Sequence, residues 1–259
     1  MNPQSFNRFS YVLNRPTFYT DPSGHTYMCD EGCEENLGRR QYSLYDMAEL
    51  FRVEFSSGWN VMHMAAALLG VYKVAKAFQR ELGNGISEVD AFTTVYGLDE
   101  GETFYFEWDP DCWGCREDPK GCDAGTTRGD ACVPGFGYTN TENWIEFASM
   151  SNVETPLRNV NNVIHELGHA FNLRLGRGPE NALAVRLDLL VNGAGFYGAT
   201  DNRTWEASSG INGSETFADQ FLGWASGKWG EDPLGPVRAE FMNQMNGANG
   251  WVAQAAGLP

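Results

Sequence analysis

The stretch that decides the fold is residues 155–176, which read TPLRNVNNVIHELGHAFNLRLG. Thr155 is a favourable N-cap, and Pro156 suits the first helical position, where its missing N–H is not needed. Gly176 marks the end of the segment. Apolar side chains recur at helical spacing and define a core-facing side: Val160, Val163, Ile164, Leu167 and Phe171. These signals predict a helix of about five turns from Pro156 to Leu175.

Two histidines on this predicted helix, His165 and His169, are spaced to bind one metal ion. Residues four apart lie on the same face of a helix, one turn apart, and paired imidazoles are suitable ligands for zinc. Glu166 would lie beside the metal, where its carboxylate can take a proton from a zinc-activated water and pass it to a leaving amine. A His-Glu-x-x-His pattern also occurs by chance on ordinary helices, but two of the chain's four histidines form this pair. The spacing therefore predicts a zinc site with a general base next to it.

A catalytic zinc also needs a third protein ligand and a position open to water. The third histidine of the metzincin pattern is missing, because Leu175 stands at its place. Glu215, 46 residues after His169, is the best candidate, although an exposed acidic helix start is its ordinary interpretation. Asp219 lies one turn later, where it can accept the second ring N–H of a ligand histidine and fix its tautomer. The alternatives for the third ligand are Asp188 and, less favourably, Glu180.

His165-Glu-Leu-Gly-His169 followed by Glu215-x-x-x-Asp219 resembles the gluzincin group of zinc metallopeptidases, which includes the thermolysin and lethal-factor types. The resemblance implies that His165, His169 and Glu215 bind Zn²⁺, that Glu166 is the catalytic base and that Asp219 supports a ligand. It also implies a zinc-dependent peptidase acting on a peptide or protein substrate. A catalytically inactive binding module with a relict or structural metal site is the alternative.

The group usually supplies a tyrosine or histidine that stabilises the oxyanion, and the sequence does not settle which residue does so here. Tyr197, in a glycine-rich segment between the ligand segments, is the first candidate, with His63 and His25 as alternatives. A strand beside the zinc should hold extended substrate, and Asn143–Phe147 is the candidate for such an exposed edge.

The predicted architecture is a single α+β, zincin-like domain. Its N-terminal lobe, about 1–175, would contain a small mixed sheet, a long backing helix and the active-site helix, and a mainly helical lobe would occupy about 176–259. The backing helix is expected at Trp59–Leu82. Predicted strands lie at Phe9–Leu13, Thr17–Thr20, Ala91–Tyr96, Thr103–Trp108 (paired with the preceding one) and Trp144–Phe147. Further helices are expected at Asn181–Val191, Ser214–Trp229 and Pro236–Asn246.

Composition restricts the partners. The 259 residues carry 18 Lys and Arg against 34 Asp and Glu, a formal net charge of −16, which disfavours nucleic acid. A long stretch without Asp, Glu, Lys or Arg, Phe55–Tyr72, contains polar residues and glycines and predicts a buried helix rather than a membrane span. We expect a soluble monomer.

Six cysteines fall in two groups: Cys29 and Cys33, then Cys112, Cys115, Cys122 and Cys132. An even number in loop-like sequence predicts three disulfides and a secreted protein, although the first four could instead hold a structural zinc. The chain begins without the basic and apolar parts of a secretory signal, so the protein either stays inside the cell or begins after a removed leader. Carboxylates in residues 109–139 offer a weaker expectation of bound Ca²⁺.

Overall fold

The computed structural model describes residues 25–26, 42–83, 85–108, 137–141, 143–147, 156–186, 188–189, 213–230, 233–247 and 249–258. The helices are α1 Leu44–Leu50, α2 Val61–Leu82, α3 Glu88–Tyr96, α4 Pro156–Arg174, α5 Gly178–Ala184, α6 Gly213–Ser226, α7 Leu234–Asn246 and α8 Trp251–Ala255. The strands are β1 His25–Thr26, β2 Tyr42–Ser43, β3 Val53–Phe55, β4 Phe104–Trp108, β5 Gly137–Thr141 and β6 Trp144–Phe147. This part of the chain is mostly helical with a small sheet, which agrees with the α+β prediction at that coarse level.

The main sheet has the strand order β3-β4-β6-β5. β3 and β6 run parallel to β4, whereas β5 is antiparallel to β6. Phe104 and Phe106 of β4 are fully buried and alternate with the partly exposed Tyr105 and Glu107, so one face of the sheet packs on the core. Because β6 is paired on both sides, the prediction that Asn143–Phe147 offers an exposed edge is wrong; β5 is an edge strand instead.

The long backing helix was predicted at Trp59–Leu82 and is observed as α2. Asn60 caps it by accepting a hydrogen bond from the backbone N–H of His63. α4 packs closely against α2 at Gly70, because a Cβ there would lie 2.7 Å from the Val163 Cγ1 atom. Within the described residues, only α2 is long and apolar enough to span a membrane, and 67% of its apolar window is buried, as in a core helix.

α4 confirms the predicted helix almost to the residue, ending at Arg174 rather than Leu175. Val163, Leu167 and Phe171 are fully buried, as their spacing predicts. The hydroxyl of Tyr96 donates a hydrogen bond to the Leu167 carbonyl and ties α3 to the middle of α4. Thr155, the predicted N-cap, lies outside the described residues.

The predicted strand Ala91–Tyr96 is wrong, because these residues belong to helix α3. Ser87 caps this helix by accepting from the Asp90 N–H, and Gly97 ends it in the left-handed conformation. The buried side chains follow a helical spacing: Ala91, Phe92, Val95 and Tyr96. Consequently β4 does not pair with this segment but with β3 and β6.

Three predicted helices shift at their ends, and two predicted strands cannot be compared. Asn181–Val191 corresponds to the shorter and earlier α5, whereas Ser214–Trp229 and Pro236–Asn246 correspond to α6 and α7. α5 has Pro179 in its first turn, so the helix begins before the segment that the apolar spacing marked. The predicted strands Phe9–Leu13 and Thr17–Thr20 lie outside the described residues.

The prediction of three disulfides requires a correction. No disulfide is supported between any two of the six cysteines. All six lie outside the described residues, as does most of the acidic 109–139 segment considered for Ca²⁺. The disulfide prediction is withdrawn, and with it the argument for secretion that depended on it.

Candidate metal centre

The centre is formed where α4 crosses α6. Gly168 permits the close approach of the two helices, because a Cβ there would lie 3.0 Å from the Cβ of Phe221. His165 and His169 project from α4 one turn apart, and Glu215 projects from the first turn of α6. Two residues from one helix and one from another are therefore brought together, and they are the three residues that the sequence offered first as ligands.

The three side chains form a compact triangle of potential ligand atoms. The Nε2 atoms of His165 and His169 are 3.2 Å apart. The Glu215 Oε2 atom is 3.2 Å from His165 Nε2, and its Oε1 atom is 3.4 Å from His169 Nε2. Among the His, Cys, Asp and Glu side chains of the described residues, these three form a group that could hold a metal ion.

These separations fit a tetrahedral metal ion. Zn–N and Zn–O bonds of about 2.0–2.1 Å at tetrahedral angles place neighbouring ligand atoms about 3.3–3.4 Å apart. The two Nε2 atoms are 3.2 Å apart, and each has one of the two Glu215 carboxylate oxygens at 3.2 or 3.4 Å. Two imidazole nitrogens with one carboxylate also match the two-histidine, one-glutamate donor set of catalytic zinc sites. The residues present therefore fit zinc in both chemistry and spacing.

The ring nitrogens that face away from the triangle contact side chains of α6. His165 Nδ1 is 2.9 Å from the Asp219 Oδ1 atom, as predicted. His169 Nδ1 is 3.2 Å from the Ser214 hydroxyl oxygen, a contact that was not predicted. With a proton on Nδ1 of each ring, both Nε2 lone pairs point into the triangle beside a carboxylate. The two lone pairs and the carboxylate then repel one another unless a cation lies between them.

In the metal-free protein, protons can supply part of that positive charge. Burial by itself lowers the pKa of His165, but the hydrogen bonds and negative charges of Asp219 and Glu215 outweigh it, and the pKa lies well above 6.5. Burial tends to raise the pKa of Glu215, yet the charge of His169 and the contacts with both rings hold it well below its usual range. Burial also raises the pKa of Asp219, which the hydrogen bond with His165 only partly offsets. The site therefore favours positive charge.

Glu166, the predicted base, follows His165 on α4 and is 4% exposed. It is not one of the three residues of the triangle. Its carboxylate therefore belongs to the residue next to His165 on the same helix, outside the group of three.

The alternative third ligands have other partners. Asp188 is 56% exposed and accepts two hydrogen bonds from the Arg186 guanidinium. The Glu180 carboxylate accepts a 2.6 Å hydrogen bond from Asn172 Nδ2. Neither residue belongs to the triangle within the described part of the chain.

Three residues were considered from the sequence for stabilising the oxyanion: Tyr197, His63 and His25. Tyr197 lies outside the described residues. The His63 ring lies 5.2 Å from the Trp108 ring, and its Nδ1 atom contacts Asn60, so it follows the ordinary pattern of a packed histidine at a helix start. Burial lowers the pKa of His63. His25 lies in β1.

A cavity of about 730 Å³ lies away from the triangle. It opens between the C-terminal ends of α3, α4 and α8, and its lining includes Gly97, Arg174 and Gln254. None of the triangle residues lines it, so it contributes nothing to the metal centre.

Comparison with known proteins gave no relative. No family model, no curated protein and no solved structure matches this chain. Any functional assignment must therefore depend on the chemistry of the centre itself.

Proposed function

We propose that this protein is a zinc-dependent peptidase of the gluzincin type, with Zn²⁺ held by His165, His169 and Glu215. The observation that carries the proposal is the triangle of two imidazole nitrogens and one carboxylate with edges of 3.2–3.4 Å. A bound zinc ion supplies a Lewis acid and lowers the pKa of water to about 7. The long helix α2 behind α4, and the mainly helical C-terminal part, support the zincin-like architecture.

Partial exposure of the triangle supports a catalytic rather than a structural metal. The side chains of His169 and Glu215 are 13% and 19% exposed, whereas that of His165 is 5% exposed. Structural zinc sites are closed by four protein ligands, but catalytic sites have three and leave one position for water or substrate. Three ligands with one accessible side meet the second description.

Glu166 is assigned the proton transfers. Its carboxylate accepts a proton from the attacking water and delivers it to the leaving amine, so one residue acts first as base and then as acid. Its burial limits competition from bulk water for that proton. A purely structural site would not need this carboxylate.

Extended peptide is assigned to the outer edge of β5, which pairs with no further strand among the described residues. This strand lies at one end of the sheet and runs close to α4. An added strand can use the unpaired backbone groups of such an edge, which gives affinity through main-chain hydrogen bonds. The substrate class is therefore an unfolded or exposed segment of polypeptide.

Glu166→Gln tests the mechanism. We expect it to retain one zinc ion per chain, measured by elemental analysis, and to lose casein hydrolysis by about 10²–10⁴-fold, the usual contribution of a general base. The exposed Glu49 on α1 provides the matched control, Glu49→Gln, which should behave as the parent. Parent-like cleavage by Glu166→Gln would refute this mechanism.

Zinc content and peptide cleavage, both measured on the parent protein, distinguish the remaining alternatives. Zinc content without any cleavage in a peptide library would favour a binding module with a structural or relict metal. Absence of zinc after purification and titration would instead favour a metal-free helical domain. Activity that is lost on chelation and restored by zinc would support the peptidase.

A further inference from the structure

α6 supports both metal-binding imidazoles, through two different kinds of acceptor. Asp219 contacts His165 Nδ1 at 2.9 Å, and this pair was expected from the sequence. Ser214 contacts His169 Nδ1 at 3.2 Å, through a partly buried hydroxyl. Each imidazole therefore has its outer nitrogen against α6 and its inner nitrogen in the triangle.

We propose that Ser214 is a positioning residue for His169, an inference that rests on the proposed zinc site. Its hydroxyl oxygen accepts the Nδ1–H of His169 and so keeps the Nε2 lone pair directed into the triangle. A neutral imidazole carries one proton, and the hydrogen bond at one ring nitrogen decides which nitrogen holds it. Without an acceptor at Nδ1, the proton can occupy Nε2, and the lone pair is then lost to the metal.

The backbone at the start of α6 fixes Ser214 and Glu215 together. Gly213 approaches α5 so closely that a Cβ there would lie 3.2 Å from the Glu180 carbonyl oxygen. Glu180 is itself held by Asn172 of α4, which accepts from its backbone N–H and donates to its carboxylate. The same contacts that place the third ligand therefore place the hydroxyl next to His169.

Charge balance explains why a hydroxyl suits this position. Glu215, Asp219 and the proposed base Glu166 already supply three carboxylates, against the two positive charges of a zinc ion. A further carboxylate behind His169 would add to the negative charge of a largely buried site, and such charge is costly. A serine hydroxyl orients the ring without adding charge.

The test compares Ser214→Ala with Ser214→Thr and Ser226→Ala. Ser226 lies at the other end of α6, about 18 Å away along the helix axis. We expect Ser214→Ala to weaken zinc affinity by about 10–100-fold in competition titrations, the usual effect of losing an outer partner of a ligand. Ser214→Thr retains the hydroxyl and should stay close to the parent, as should Ser226→Ala.

Two further measurements distinguish positioning from a structural role in the first turn of α6. In ¹H–¹⁵N spectra of the metal-free form, the neutral His169 ring of the parent should carry its proton on Nδ1, and this preference should be lost in Ser214→Ala. The metal-free unfolding midpoint should be nearly the same in both proteins. A zinc affinity of Ser214→Ala within twofold of the parent, or a loss explained by equal destabilisation of the metal-free form, overturns the role of Ser214. Absence of zinc binding by the parent would overturn the proposed function as well.

Discussion

Glu215 is the residue on which the metal assignment depends most. It is the only carboxylate among the three residues of the described triangle, and it comes from a different helix than the two histidines. We expect Glu215→Ala to lose bound zinc, because two imidazoles alone leave the ion without its third protein ligand. The measurement is the zinc content after dialysis against metal-free buffer.

Asp188→Asn is the control for that substitution. Asp188 is exposed and paired with Arg186, so its change should leave the zinc content at the parental level. If Glu215→Ala retained stoichiometric zinc while Asp188→Asn lost it, the third ligand would be Asp188 and the triangle would have no metal-binding role.

The raised pKa of His165 predicts how the metal-free protein responds to pH. Folding favours its protonated form, so this stabilisation is complete below about pH 6.5 and is lost as the pH rises through the higher folded-state pKa. In urea titrations with a chelator present, the free energy of unfolding should therefore decrease as the pH rises above about 6.5. Glu215, whose folded-state pKa is depressed, acts in the acidic range and not in this window.

Asp219→Asn tests the cause of this pH dependence. The carboxylate of Asp219 is a main reason for the raised pKa of His165, so its neutral replacement should flatten the decline. A metal-free parent whose stability rises between pH 6.5 and 9 would contradict the assigned ionisation.

At the level of elements, the contact between α2 and α4 depends on a residue without a side chain. A Cβ on Gly70 would lie 2.7 Å from Val163 Cγ1 and 2.9 Å from its Cβ, so one of the helices must move. Overpacking of this kind costs about 1–3 kcal/mol, against which alanine recovers about 0.5–1 kcal/mol of helix propensity. We expect Gly70→Ala to be destabilising in urea unfolding by about 1–2 kcal/mol.

Val163→Ala provides the matched test of that contact. It shortens the side chain that the new methyl group would meet, so the double substitution should be more stable than the sum of the two single changes predicts. Additive effects would show that the two helices do not meet at these residues.

The sequence predicted α4 well because several independent signals coincide there. Proline at its start, glycine after its end and a continuous apolar face all agree, and the two histidines share a face of any helix that forms. α3 was misjudged because Phe92, Thr93, Thr94 and Val95 have strand propensity, which the Ser87 cap and the burial of one helical face override. The order of β6 and β5 in the sheet could not be predicted. It depends on how the connections cross between strands, and the alternation of apolar and polar residues along a strand does not report that. Ser214 was missed because its contact depends on how α4 and α6 cross.

For the molecule as a whole, the proposed metal site connects two distant parts of the sequence. His165 and His169 precede Glu215 by 50 and 46 residues, and only the packing of α4 on α6 brings them together. A ligand that binds the folded chain alone stabilises it, by about 2.7 kcal/mol at a free concentration 100 times its Kd. Zinc should therefore raise the Tm of the entire domain and a chelator should lower it.

The Glu215→Ala variant, which lacks the proposed third ligand, is a control for this zinc-dependent shift in Tm. Glu215→Ala should show little change of Tm with zinc, and its Tm should lie at or below that of the chelated parent, because it also loses the contacts with His165 and His169. Calorimetry with and without chelator measures both quantities on the same samples. A parent whose Tm is unaffected by zinc, at concentrations that saturate binding, would mean that the ion binds the unfolded chain equally well, and the triangle would then not be the binding site. The size of the shift thus reports whether the folded arrangement of two imidazoles and one carboxylate is what holds the metal.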